Sequence, residues 1–205
     1  MSQSIDHLAS EESRHFAPSP EFAANAVASA DLYDAAASDR EGFWAEQSRE
    51  LLTWAKPFTR VLDWSNPPFA KWFDDGELNV AYNCLDRHVE AGHGDRVAFH
   101  FEGEPGDTRT ITYASLTEEV KRVANVLTEW GIERGDRVAI YMPMIPEAIT
   151  AILAVARLGA AHSVVFGGFS ADSLRSRIDD AGARLVITTD GQWRRGTPAP
   201  LKAAV

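Results

Sequence analysis

Residues 137–168 read RVAIYMPMIPEAITAILAVARLGAAHSVVFGG. Two apolar runs, RVAIYM and AHSVVF, flank a stretch that opens on Pro146, a favoured first-turn residue, and closes at Gly159. The pattern is a buried strand, a helix and a second buried strand. It continues downstream: SADSLRSRIDDAG reads as another helix and RLVITTDG as another strand. Strands that alternate with single helices from Arg137 to Thr189 predict a parallel sheet with helices on both faces, a doubly wound α/β arrangement. Such sheets bind ligands at the carboxyl ends of their strands. FGGFS (166–170) and TTDGQWRRG (188–196) both fall at strand carboxyl ends.

Upstream, RVAFHFEG, the turn EPGD and TRTITYASL predict a β-hairpin, and SLTEEVKRVANVLTEWG predicts a helix with Ser115 and Glu118 as its capping box. NVAYNCLDRHVEAG reads as a helix closed by Gly92, and FWAEQSRELLTWAKPF as a helix ended by Pro57. Between them, LDWSNPPFAKWFDDGELN carries two adjacent prolines yet four large aromatics, which predicts an irregular segment pinned against a neighbour. Residues 1–34, rich in Ala, Ser, Asp and Glu, read as a disordered or loosely attached tail with room for a short helix but few large side chains to bury.

The formal charge of −10 over 205 residues argues against general nucleic-acid or anionic-membrane binding. The first residues hold no apolar segment of signal-peptide type, and the longest apolar stretch, Ala148 to Ala161, is too short to span a bilayer and contains Arg157. Cys84, the single cysteine, fits a reducing cytosol and reads as a buried small apolar residue. A cytoplasmic location is the expectation.

Two constellations stand out. Gly167 and Gly168 follow the strand ending in Phe166, and Ser170 opens the next helix. The pair gives either close approach of a flat ring or phosphate to the main chain, or a tight strand-to-helix turn with an ordinary N-cap. Arg194 and Arg195, followed by Gly196, sit in a loop leaving the last strand. Paired guanidinium groups suit phosphate oxygens, and a solvated loop charge is the alternative. Arg175 and Arg177 lie beside Asp172, Asp179 and Asp180, which predicts a solvated helix face with short-range ion pairs. No P-loop, GxSxG or HExxH motif occurs.

Taken together, FWAEQSRELLTWAKPF, WFDDGELNVAYNCLDRHV, GDRVAIYMPMIPEAITAILAVARLGAAHSVVFGGFS and DGQWRRGTPAPLK resemble the amino-terminal part of the AMP-forming acetate–CoA ligases of the ANL adenylate-forming superfamily. The resemblance implies an amino-terminal extension over 35–92 and the incomplete first part of an AMP-binding domain over 93–205. It implies acetate, Mg-ATP and CoA as substrates, with an acetyl-adenylate intermediate and pyrophosphate release. It assigns Phe166, Gly167 and Gly168 to the CoA adenine site, and Arg194, Arg195, Gly196 and Thr197 to the neighbourhood of the CoA 3′-phosphate. Thr197 stands where many members carry Lys or Arg, so Arg195 is the expected compensating contact. By the same resemblance, the triphosphate loop, the acetate pocket, the magnesium site, the catalytic residues and a carboxy-terminal partner domain lie outside these residues, and the isolated chain is expected to be inactive. Propionyl- or acetoacetyl-CoA ligases, a non-catalytic nucleotide-binding module, and an interaction piece docking through Trp64, Phe69 and Trp72 are the alternatives.

Overall fold

The computed structural model describes residues 15–205; the first fourteen residues of the expected tail lie outside the described residues. The chain forms two compact units, 1–50 and 51–205.

Within the first unit, α1 (Pro20–Ala24) is capped by the Ser19 hydroxyl, which accepts from the Phe22 N–H at 3.2 Å. It is followed by α2 (Asp31–Ser38) and by α3 (Arg40–Leu51), whose last residue reaches the second unit. Asp39 caps α3 by accepting from the Gly42 N–H at 2.9 Å. A Cβ on Gly42 would stand 2.0 Å from the Asp39 carboxylate, so a larger residue there would require the capping side chain to shift.

The expected run of α3 to Pro57 stops six residues early. Side chains of the following helix take up the backbone groups that would have continued it. The Asn83 amide exchanges hydrogen bonds with both backbone groups of Thr53, at 2.8 and 2.9 Å, and Arg87 donates to the Leu51 carbonyl at 2.6 Å. Trp54 is thereby free to pack edge-on with Phe58 and Phe73, at centroid distances of 5.1 and 5.8 Å. The short antiparallel pair β1 (Leu62–Asp63) and β2 (Lys71–Trp72) lies between Phe58 and Phe73 in sequence. Asp75 fixes the segment by accepting from the hydroxyl and N–H of Thr59 and the N–H of Arg60; the Thr59 hydroxyl is the main cause that brings its carboxyl down to about 2. Phe73 is thus packed, whereas Trp64 and Phe69 are exposed.

Helix α4 (80–93) is irregular: two π-type turns, Tyr82–Asp86 and Val89–His93, interrupt it, and Gly92 has a positive φ inside the second rather than beyond it. Ala81 and Leu85 are its buried line. Cys84 lies off that line and is exposed, which corrects the expected burial. Asn79 links α4 to the sheet domain, accepting from Tyr82 N–H at 3.0 Å and donating to the carbonyl of Arg157 at 3.0 Å. Asp86 and Arg157 complete the joint as a bidentate ion pair at 2.7 and 2.8 Å. The Arg157 hydrogen bonds hold the Asp86 carboxyl below its ordinary value, against the opposing effect of burial.

The predicted hairpin forms as β3 (Val97–Glu102) and β4 (Thr108–Thr112). It leads directly into α5 (Tyr113–Glu129), whose capping box is Thr112 with Ser115 rather than Ser115 with Glu118. The strand residue Thr112 is itself the N-cap, so the helix begins earlier than the expected box; Glu118 instead pairs with Lys121 Nζ at 2.9 Å.

The parallel sheet comprises β5 (Arg137–Met142), β6 (Ala161–Phe166) and β7 (Leu185–Thr188), in the order β6-β5-β7. Arg137 pairs with Ala161 through to Met142 with Phe166 on one side of β5, and Val138 with Leu185 through to Tyr141 with Thr188 on the other. Helix α6 (Pro146–Arg157) connects β5 to β6, and α7 (Ala171–Ala181) crosses back to β7. The alternating residues of β5 divide between two cores. Val138, Ile140 and Met142 pack with the stripe Leu116, Val120, Ala124 and Leu127 of α5 and with Ala151, Ala154 and Val155 of α6. Tyr141 packs with Val165, Leu174 of α7 and Leu201 on the other face. Burial on both faces makes β5 a nearly continuous apolar run instead of an alternating one.

Candidate functional site

The order β6-β5-β7 creates a switch point. From β5 the chain moves to one side through α6, then returns past β5 through α7 to the other. The two connections leave a crevice at the strands' carboxyl ends, where ligands of doubly wound sheets lodge. A cavity of about 520 Å³ lies there. Pro143 and Met144 after β5, Phe166 ending β6, and Thr189 and Asp190 after β7 contribute to its wall, with the β3–β4 turn opposite.

The stretch after β7, expected to be a loop, is a β-hairpin: β8 (Gly191–Arg194) pairs antiparallel with β9 (Thr197–Pro200). Pro198 and Pro200 weaken the sequence signal for a strand, but in a two-stranded ribbon they sit where no further partner needs their missing N–H groups. Arg195 and Gly196 form the turn, with φ of 56° and 78°. Positive φ at both central positions is the turn whose twist matches antiparallel strands, and glycine relieves it at the second.

Strand alternation puts Gln192 and Arg194 on one side of β8, and both reach the glycine pair. Gln192 Nε2 donates to the Gly167 carbonyl at 2.7 Å. A Cβ on Gly167 would stand 2.9 Å from Gln192 Oε1, and one on Gly168 2.6 Å from Arg194 Nη1. Neither glycine has a positive φ, so close approach rather than unusual backbone geometry sets the pair apart. The approaching groups are the ends of the Gln192 and Arg194 side chains and, at Gly168, the Phe166 ring, 2.7 Å from such a Cβ.

The Arg194 guanidinium lies 5.9 Å from the Phe166 ring centre, at cation–π range. The structure therefore brings together Phe166, Gly167, Gly168 and Arg194. Arg195, Gly196 and Thr197 occupy the neighbouring turn, with Thr197 Oγ1 donating to the Arg194 carbonyl at 3.4 Å. Phe166 is 58% and Trp193 52% exposed, unusual for large rings at the end of a buried sheet. Among the described residues, neither Arg194 nor Arg195 has a carboxylate ion-pair partner.

The 166–169 turn is held from below and beside. Tyr141, buried in the sheet, donates its hydroxyl to the Phe169 carbonyl at 3.0 Å. Ser170 caps α7 by accepting from the Ser173 N–H at 3.3 Å. Arg177, expected among helix ion pairs, instead donates to Ser173 and stacks 4.6 Å from the Phe169 ring centre. Tyr141, Gln192, Trp193 and Glu104 escaped the reading of the sequence. For Gln192 the signal was available, since it stands two residues before Arg194 as the glycines stand side by side; for Glu104, in the β3–β4 turn, there was none.

Exposed rings fit a flat heterocycle, and guanidinium groups without carboxylate partners fit a phosphate. The cavity is cationic at Arg194, while Glu102, Glu104, Asp107 and Asp190 line the rest of it and disfavour an anion there. Among the described residues, no group of three or more His, Cys, Asp or Glu is placed to hold a metal ion, and no helix is long and apolar enough to cross a membrane.

The fold defines a doubly wound α/β protein with a ligand-sized crevice at the carboxyl edge of its sheet. Comparison with known families makes the assignment specific: residues 85–204 match the model described as AMP-binding enzyme, and residues 29–84 the model described as acetyl-coenzyme A synthetase N-terminus. The chain belongs to the AMP-binding enzyme family. It is 66% identical over 203 residues to the acetyl-coenzyme A synthetase of Streptomyces avermitilis, covering 99% of this chain and 31% of that protein. The enzyme of the same name from Mycobacterium tuberculosis H37Rv is 63% identical over 195 residues (95% and 30%), and that of Paraburkholderia phymatum 55% over 197 (94% and 30%). The chain thus spans about a third of the length of these relatives.

Proposed function

We propose that this chain is the amino-terminal region of an AMP-forming acetate–CoA ligase, in which acetate and Mg-ATP give acetyl-adenylate and pyrophosphate and the CoA thiol then displaces AMP. In this reading residues 35–92 are the extension of the family and 93–205 the start of the AMP-binding domain, in a cytoplasmic protein. Its chemistry on acetate and ATP resides in a carboxy-terminal part that joins these residues. Neither a catalytic residue nor the magnesium site is assigned to this chain.

The contribution of these residues is to the second half-reaction. The CoA adenine stacks on the Phe166 ring beside Gly167 and Gly168, and the 3′-phosphate is met by Arg194 and Arg195 at the turn formed with Gly196 and Thr197. The carrying observation is the meeting of an exposed ring and a guanidinium without a carboxylate partner over two glycines, at the carboxyl edge of a parallel sheet. The glycines serve by letting Arg194 sit low over the main chain, so that its cation faces the place where the phosphate arrives. The names of the relatives support acetate as the acid. Pyrophosphate release by the full gene product should be fastest with acetate and slower with propionate and acetoacetate. Equal rates for all three acids would remove the acetate assignment.

A further inference from the structure

The turn that presents Arg195 and Gly196 is engaged by an anion of the protein itself. The Gly196 N–H donates to a carboxylate oxygen of Glu104, a residue 92 positions away in the β3–β4 turn. No other neighbour crowds this glycine: a Cβ placed on Gly196 would meet nothing within 4 Å. Glu104 and Arg194 line the same cavity, yet among the described residues Glu104 forms no ion pair with either arginine of the hairpin. The carboxylate is thus bound to a main-chain donor at the very turn that carries Arg194 and Arg195.

We infer that Glu104 is a latch on the phosphate-recognising turn, a carboxylate that satisfies the Gly196 N–H while the site is free and that the 3′-phosphate of CoA displaces on binding. The inference rests on the proposed CoA reading. A main-chain N–H at a turn with two positive-φ residues is a strong donor to anions, and carboxylate and phosphate oxygens compete for it on equal geometric terms. Both anions cannot stay there together, because like charges at contact distance repel. Ligand entry therefore requires the β3–β4 turn to release Gly196, and Glu104 sets how strongly a phosphate-bearing nucleotide is favoured over one without it. The carboxylate works against that preference when it is present.

The test compares CoA with 3′-dephospho-CoA, which differs only in the displacing group, by titration calorimetry of the full gene product. Loss of a competing exposed charge contact is worth up to about fivefold in affinity. Glu104→Ala should bind CoA about fivefold tighter than the unaltered protein and 3′-dephospho-CoA equally well. Glu104→Gln keeps an acceptor but removes the charge, so it should show a smaller gain in the same direction. Both gains should shrink as ionic strength rises. Equal shifts for the two ligands, or weaker CoA binding in Glu104→Ala, would overturn the latch and make Glu104 a prop for the hairpin. If the unaltered protein binds the two ligands equally, the 3′-phosphate reading itself fails, and the latch with it.

Discussion

The two ends of the parallel sheet are built from the same three strands and treat their charges in opposite ways. At the amino end charges are matched. Asp136 accepts from the Glu133 N–H at 2.8 Å and from Arg184 at 2.7 Å, and Arg137 donates to the Ala181 and Gly182 carbonyls at the end of α7. Nearby, where α6 ends before β6, Arg157 is held by Asp86. At the carboxyl end Arg194 and Arg195 lack carboxylate partners among the described residues, and Phe166, Met144 and Trp193 stand exposed. Matched charge joins elements together at one end, while the other leaves cations and rings open to solvent. The fold makes one end a foundation and, in the proposed function, the other a receptor.

Substitutions should separate the two ends. The largest expected effect is at the foundation. Asp86→Ala leaves Arg157, only about a quarter exposed, without its carboxylate, and removing charge-assisted hydrogen bonds of this kind costs about 2 kcal/mol. Because the folded-state value of Asp86 is lowered from 3.8, its contribution is complete above that value and is lost as the pH falls through the lower folded value. Urea midpoints of the variant and the unaltered protein should therefore differ at neutral pH and converge in acid. A difference that persists unchanged once the Asp86 carboxyl is protonated would dissociate the ion pair from the joint. A smaller effect is expected at the hairpin turn. Gly196→Ala places a Cβ at a φ of 78°, which costs about 1 kcal/mol although the space around it is open, and the urea midpoint should fall accordingly.

Most of the foundation is legible in the sequence. Apolar runs such as RVAIYM and AHSVVF, with Pro146 and Gly159 between them, mark β5, α6 and β6 closely, because a sheet covered on both faces leaves little choice of residue. Legibility fails where side chains from distant segments decide the outcome. The stop of α3 depends on Asn83 and Arg87, the N-cap of α5 on the strand that precedes it, and the π-type turns of α4 carry no periodic signal of their own. At the receptor end FGG and WRRG are conspicuous in the sequence. That the hairpin lays Gln192 and Arg194 over the two glycines follows only from the pairing of β8 with β9, which the prolines conceal.

The most direct measurement pairs Arg194→Ala with binding. An exposed arginine without a carboxylate partner should cost less than about 0.5 kcal/mol of stability when truncated, so loss of fold will not obscure the result. Calorimetry on the full gene product should show CoA bound about tenfold tighter than 3′-dephospho-CoA, the worth of a charge-assisted phosphate contact, and Arg194→Ala should sharply reduce that preference, leaving what Arg195 supplies. An undiminished preference in the variant would mean that the carboxyl end of the sheet does not read the phosphate, and the contrast between foundation and receptor would lose its functional meaning.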